Sequence, residues 1–452
     1  MPDDEKYVRL LRQVEAEVTS RWGEGRMQPT TERIDALVDL LGEPQRTYRS
    51  VHLTGTNGKT STARMVDELL RAFGLRTGRF TSPHLSDIRE RIVVDGEPVN
   101  ARTFVEGYRE IAPYVELVDA QFDIKLSFFE VMVGLAYAIF ADAPVDVAVV
   151  EVGLGGRWDA TNVIDADVAV VTPIDLDHTQ YLGSDRATIA AEKAGVIKPG
   201  SIAILAAQAP EAAAELLRRA SEVGATVARE GMEFGVLDRR VAVGGQVVLL
   251  QGLAGQYDEV FLPLHGGYQA QNAACALAAV EALLGVTGES GRLDIDVVRE
   301  AFAAVRSPGR LEPVRSAPTV LVDSAHNPHG VAASVVALQE AFDFRRLVGV
   351  VAVLADKDVD GMLNALETAV DEVVVTQNSS LRAMPVDELA RHAVAVFGPD
   401  RVSVEPRLDD AIEAAVRLAE DSGDGVLSGA GVLVTGSVVT AGEARLLLGA
   451  ST

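Results

Sequence analysis

Residues 52–65 read HLTGTNGKTSTARM, and the fold of the amino-terminal part of the chain turns on this stretch. A phosphate-binding loop of the usual G-x-x-x-x-G-K-[ST] spacing would place its first glycine at position 53, yet Leu53 stands there and the glycine is Gly55. The chemistry survives the shortening. Gly55 and Gly58 let the backbone turn N–H groups toward an anion, Lys59 reaches the outer phosphates, and Thr60 opens a helix. Before the loop, YRSVHL (48–53) alternates like a strand; after it, STARMVDELLRAFG (61–74) has helical spacing and ends on Gly74. Strand, loop, Gly-Lys-Thr and helix in succession predict a nucleotide-binding unit in preference to a plain Gly-rich turn.

Working outward, VDVAVVEVG (145–153) and DVAVVTPI (167–174) are apolar at nearly every position, as strands covered on both faces are. They alternate with helical segments such as FFEVMVGLAYAIFA (128–141), which predicts a parallel α/β sheet. From about 225 to 263 short alternating runs, TVARE, RRVAVGG and QVVLLQG, read as a small antiparallel insertion before the helix QNAACALAAVEALLG (271–285). RSPGRLEP (306–313), with two prolines and a glycine, reads as a domain linker. The expected division is a P-loop domain over residues 1–306 and a smaller Rossmann-like domain over 311–452. In the latter, TVLVD, RLVGVVAVLA, EVVVTQ, RVSVEP and GVLVTGS are the expected strands. No G-x-G-x-x-G is present; GLGGRW (153–158) puts Trp158 where the last glycine belongs, which argues against a dinucleotide site.

Composition narrows the partners. A formal charge of −25 over 452 residues argues against nucleic acid or an anionic membrane, so anionic substrates have to be gripped locally. The single cysteine, Cys275, excludes an internal disulfide and a cysteine-built metal site. The amino terminus is acidic where a signal peptide needs basic residues. The longest apolar stretch, Val131 to Ala141, is about half a membrane span. A soluble, cytoplasmic protein is expected.

Several polar residues fall at the carboxyl ends of expected strands, where open α/β sheets place their ligands. Glu151 ends one; Asp175, Asp177 and His178 follow the next; Lys193 lies in the helical TIAAEKAGVI. A carboxylate, an imidazole and the P-loop Thr60 beside a triphosphate suit magnesium, a hard cation that prefers oxygen. On spacing alone His178 reads equally as a helix cap or a ligand, and Lys193 reads as a surface lysine. In the second domain, VDSAHNPHG (322–330) ends a strand at Asp323 and continues through His326, Asn327 and Pro328; a nucleotide-orienting pair and an Asx-turn with a helix cap are even readings. Arg310 sets a permanent cation in the linker.

Taken together, HLTGTNGKTS, TSPHL with ERI, SFFE, EVGLGGRWDATN, DHTQYLG, AEKAGVIK, QNAACAL, GR and DSAHNP resemble the folylpolyglutamate synthase and dihydrofolate synthase family, in order and rough spacing from about residue 20 to 440. That family belongs to the ATP-dependent amide ligases that include the muramyl peptide ligases, which share the shortened G-T-N-G-K loop. The resemblance implies that Thr56, Asn57, Gly58, Lys59 and Thr60 hold the ATP phosphates, with Asn272, Arg310 and Asp323 as further ATP contacts. It implies Thr60, Ser82, Glu151 and His178 as magnesium ligands. Lys193 matches a carbamylated lysine that helps to bind a second magnesium. Ser127, Phe128, Phe129, Glu130, Trp158, Asp159 and Ala160 would face the pterin, Glu130 and Asp159 accepting its hydrogen bonds, and His326 and Ser437 would lie toward glutamate. Lys59, Lys193 and His326 would carry the catalysis. The implied reaction joins L-glutamate to dihydropteroate and to reduced folates through an acyl phosphate, in a monomer. The other readings of the sequence are a muramyl peptide ligase, for which only about 45 residues precede the loop where a nucleotide-sugar domain is needed, and a non-catalytic ATP-binding regulator.

Overall fold

The computed structural model describes residues 2–23, 28–286, 288, 291–421 and 429–450. Its strands are β1 (Arg49–Thr54), β2 (Thr77–Phe80), β3 (Ile92–Val94), β4 (Glu97–Pro98), β5 (Val147–Glu151), β6 (Val168–Val171), β7 (Ile202–Leu205), β8 (Thr226–Arg229), β9 (Gly235–Ala242), β10 (Gly245–Gln251), β11 (Gln256–Leu262), β12 (Glu312–Ser316), β13 (Thr319–Val322), β14 (Arg346–Val351), β15 (Glu372–Gln377), β16 (Val402–Arg407) and β17 (Ala430–Thr435). The helices are α1 (Pro2–Thr19), α2 (Glu32–Leu40), α3 (Lys59–Ala72), α4 (Ala101–Gln121), α5 (Phe128–Asp142), α6 (Thr179–Leu182), α7 (Arg186–Lys193), α8 (Pro210–Val223), α9 (Gly267–Leu284), α10 (Ile295–Ala304), α11 (Pro328–Ala341), α12 (Val359–Glu367), α13 (Val386–Phe397), α14 (Leu408–Glu420) and α15 (Val438–Leu447).

Two compact units divide the chain: Met1–Asp238 with Val248–Phe261 and Ala270–Val305, and Arg239–Val247 with Leu262–Gln269 and Arg306–Thr452. The first is built on an eight-stranded sheet of order β4-β3-β2-β5-β1-β6-β7-β8, parallel from β2 to β8 and antiparallel at the β2-β3-β4 edge. Every residue of β5 and β6 is buried, as their unbroken apolar runs require. Helices α1, α2, α4 and α5 bury a core that includes Val18, Leu37, Phe104, Leu135 and Phe140. A second core of the same unit joins α7 and α8 to β6 and β7 through Ile189, Ala190, Ala203 and Leu216.

Two readings of the sequence need correction. TVARE does not belong to the small insertion: β8 pairs in parallel with β7 and extends the main sheet. As an edge strand with only Ala228 fully buried, it shows the short, half-polar pattern of an insertion strand. The small sheet is instead three-stranded, β11-β10-β9. The second correction concerns the linker stretch, whose Glu312 and Pro313 already lie in β12, an antiparallel edge strand of the second unit with no fully buried residue and hence no apolar signal. That unit's six-stranded sheet has the order β12-β13-β17-β14-β15-β16, parallel except at β12. Its core includes Leu321, Leu347, Val351, Met362, Leu363 and Leu389. The fold is thus α/β throughout, with a large mostly parallel sheet and a smaller Rossmann-like one.

Candidate active site

The strands β2, β5, β1 and β6 are neighbours in the first sheet, so the loops leaving their carboxyl ends are neighbours too. Those loops carry Ser82, the 55–58 turn and His178, and Glu151 is the last residue of β5. At the turn, Gly55 (φ +145°) and Gly58 (φ +92°) hold backbone conformations that other residues rarely adopt. Space forbids a side chain as well: a Cβ on Gly55 would meet Thr172 Oγ1 at 1.9 Å, and one on Gly58 would meet Asn272 Oδ1 at 2.5 Å. Asn272, buried on α9, therefore packs directly on the loop. Thr56 is tied to the loop after β6: its hydroxyl donates to the Asp175 carbonyl at 2.9 Å, and its N–H donates to Pro173 O at 3.0 Å.

Lys59 starts α3 and folds back, its Nζ donating to Gly55 O at 3.0 Å and Thr56 O at 3.2 Å. Thr60 Oγ1 donates to both oxygens of Glu151, at 2.9 and 3.0 Å, and Ser82 N approaches Glu151 Oε2 at 3.4 Å. Glu151 is 1% exposed at the end of β5. Lys193 is a departure from its reading as a surface residue: it is 3% exposed, and its Nζ donates to the same Gly55 carbonyl at 2.8 Å. Two ammonium groups sharing one acceptor repel. Burial first, and the charge of Lys59 second, lower the Lys193 pKa to about 7. His178 begins α6 at φ +50° and makes no side-chain capping bond; its Nε2 stands 3.8 Å from Asp177 Oδ2.

The segments read as pterin-facing have mostly internal partners. Ser127 caps α5 in a capping box with Glu130, which also pairs with Arg33 at 3.0 Å; both charges are buried. Phe128 lies under the Arg91 guanidinium, 4.8 Å from the ring centre, and Phe129 packs 5.8 Å from Phe80. Trp158 is partly buried and its backbone N–H donates to Glu192 Oε1 at 3.2 Å. Asp159 caps the short turn beginning at Ala160, accepting from Thr161 N at 2.9 Å and Leu154 N at 2.8 Å. Its Oδ1 also accepts the Thr161 hydroxyl, which lies 2.8 Å from His52 Nε2. Because a carboxylate only accepts, the Thr161 proton points to Asp159 and His52 must donate from Nε2. Among the described residues His52 Nδ1 is then left without a partner, and burial, followed by Lys198, lowers the ring pKa to about 3. The motif reading of the loop passed over this His52-Thr161-Asp159 chain; an apolar strand with a single histidine was its only sequence trace.

In the second unit, Asp323 is 2% exposed and organises the turn after β13, accepting from Leu311 N and Ala325 N at 2.9 Å each and from Ser334 Oγ at 3.0 Å. His326 Nδ1 lies 2.9 Å from Ser324 O, and Asn327 caps α11. Tyr268, whose hydroxyl pKa is raised by burial and by Asp323, feels the Arg310 charge. Ser437 caps α15 and is held by Asn378 Nδ2 at 3.1 Å, 1% exposed. Among the described residues no cluster of three or more His, Cys, Asp or Glu side chains could hold a metal. The Thr60 hydroxyl and the Glu151 carboxylate nonetheless bring together oxygen donors of the hard kind magnesium prefers, with Ser82 N beside them. No helix is long and apolar enough to cross a membrane among the described residues.

Comparison with known proteins places these features in context. Residues 128–280 match the family profile described as Mur ligase middle domain, and residues 309–438 the profile described as Mur ligase, glutamate ligase domain. The chain is 54% identical to the dihydrofolate synthase/folylpolyglutamate synthase of Mycobacterium tuberculosis, over 99% of this chain and 96% of that one. The structure of Mycobacterium tuberculosis folylpolyglutamate synthase complexed with ADP superposes with a TM-score of 0.94 at 54% identity, covering 98% of this chain and 99% of the other. E. coli FolC in complex with DHPP and ADP gives a TM-score of 0.83 at 30% identity, with coverage of 97% and 98%.

Proposed function

Since the chain belongs to the folylpolyglutamate synthase and dihydrofolate synthase family, we propose that it uses ATP to join L-glutamate to the carboxylate of dihydropteroate and of reduced folates. The observation that carries this reading is the gathering of Lys59, Thr60, Ser82, Glu151 and Lys193 around the Gly55–Gly58 turn. A carboxylate is a poor acyl donor, so its oxygen attacks the γ-phosphorus of ATP and ADP departs, leaving an acyl phosphate. The glutamate amine then attacks the acyl carbon, loses a proton, and inorganic phosphate leaves.

In the first step negative charge grows on the transferring group, and Lys59 with the loop N–H groups opposes it. Thr56, Asn57, Gly58 and Thr60 line the phosphates, with Asn272 against the loop and Arg310 and Asp323 as nucleotide contacts of the second unit. Thr60, Ser82, Glu151 and His178 would hold magnesium, which when bound screens the phosphate charge. Lys193 is proposed as a carbamate. An amine must be neutral to add to CO2, and a pKa lowered to about 7 supplies that form at neutral pH. The carbamate nitrogen keeps one N–H for Gly55 O and replaces the second cation on that carbonyl by an anion. Ser127 to Glu130 and Trp158 to Ala160 wall the pterin side; with Glu130 and Asp159 already bonded internally, their part is to shape that wall. His326 and Ser437 are assigned to the glutamate side. We further propose a cytoplasmic monomer divided functionally near residues 306–311.

The test is a coupled ADP-release assay with dihydropteroate, tetrahydrofolate and glutamate. ADP release with either pterin, dependent on glutamate, is expected; activity on tetrahydrofolate with none on saturating dihydropteroate would make the enzyme a polyglutamylating one only.

A further inference from the structure

We propose that Arg64 forms the subsite for the substrate carboxylate that is to be activated, an inference that rests on the ligase reading above. Arg64 lies four residues after Thr60 on α3, which puts the two on the same face, about 6 Å apart along the helix. Among the described residues it makes no hydrogen bond and no ion pair. Its acidic neighbours have other partners. Asp67 takes Thr77 Oγ1 at 2.5 Å and pairs with Arg79. Glu90 accepts from Leu85 N, Ser86 N, Ser86 Oγ and Asp87 N, all at 2.8–2.9 Å. Glu151 accepts from Thr60 and Ser82.

Arg64 is only partly exposed. Burial, then the charge of Arg79, lowers its pKa to about 9, against the fields of Glu90, Asp67 and Glu151, so it remains a cation at neutral pH with Glu151 in its field. A partly desolvated guanidinium without an acceptor is unfavourable, and its planar fork of donors matches a carboxylate in a bidentate pair. Phosphate has its own donors in the loop N–H groups and Lys59 at the start of α3, a full turn away. The reaction, however, must bring a carboxylate against a polyanion. A cation beyond Thr60, on the Glu151 side, is where that repulsion needs cancelling.

Isothermal titration in the presence of a non-hydrolysable ATP analogue separates the roles. Dihydropteroate and its analogue with hydrogen in place of the carboxyl group are titrated into wild type, Arg64→Gln and Arg64→Lys. Wild type is expected to prefer the acid by about tenfold or more, a preference that Arg64→Gln loses and Arg64→Lys partly keeps. A wild type without preference for the acid overturns the assignment and needs no variant. So does an Arg64→Gln that weakens acid and analogue equally, as a structural role would, or one that weakens the ATP analogue or inorganic phosphate instead. Wild type that binds neither pterin overturns the folate reading itself, and the subsite with it.

Discussion

Lys59 and Lys193 meet at one carbonyl oxygen, that of Gly55, and their roles divide there. Lys59 is proposed to oppose charge that grows on the transferring phosphate, so Lys59→Ala should cut turnover roughly 100-fold or more; steady-state rates within tenfold of wild type would reduce it to a brace for the loop. Lys193 has a folded pKa of about 7, below its ordinary 10.5. Between those values the unfolded chain holds a proton that the folded one has released, so the unmodified protein gains stability as pH rises through that window. The same neutral amine is the form proposed to take up CO2. At fixed dissolved 13CO2 and saturating magnesium and ATP analogue, a 13C carbamate signal that is missing in Lys193→Ala should grow between about pH 6 and 8, reflecting that lowered pKa. Wild type without the signal sinks the carbamate. The sequence disclosed Lys59 through its glycines, but spacing alone made Lys193 a surface residue and the family resemblance alone marked it, because its helical segment shows no sign of the loop against which its last turn is buried.

Helix α5 shows how a segment that resembles a substrate wall is first of all a helix start. Ser127 and Glu130 are three residues apart because a capping box needs that spacing, and Arg33 from α2 neutralises the buried carboxylate. Ser127→Ala should lower stability by about 1 kcal/mol in urea melts; an unchanged midpoint and slope would mean that the cap does not hold this terminus. The elements the sequence disclosed best, β5, β6 and α3, have apolar runs or a capping glycine of their own. Those it misplaced or passed over include β3, β4, β8 and β12, short strands at or near sheet edges, and also β2 and β7, interior strands of four residues, too short for a period to show.

At the scale of the whole molecule, a formal charge of −25 repels the anions that the enzyme binds, while the cations proposed to hold them are local. Raising ionic strength from about 10 to 150 mM, which shortens the screening length from roughly 30 to 8 Å, should therefore speed association of a polyanionic folate in stopped-flow measurements; a slower rate would show that the local cations dominate at long range. Composition determined that repulsion, and the glycines, the Gly-Lys-Thr and the apolar runs determined a nucleotide-binding α/β fold, because loop geometry and strand burial are local consequences of residue type. Strand order was beyond their reach. β17, last in the chain, lies between β13 and β14, and β5 lies between β1 and β2. Only that order brings Ser82, Glu151 and His178 beside the P-loop and buries Lys193 against it. Contacts across about a hundred residues depend on which buried surfaces fit one another, and no run of neighbouring residues encodes that.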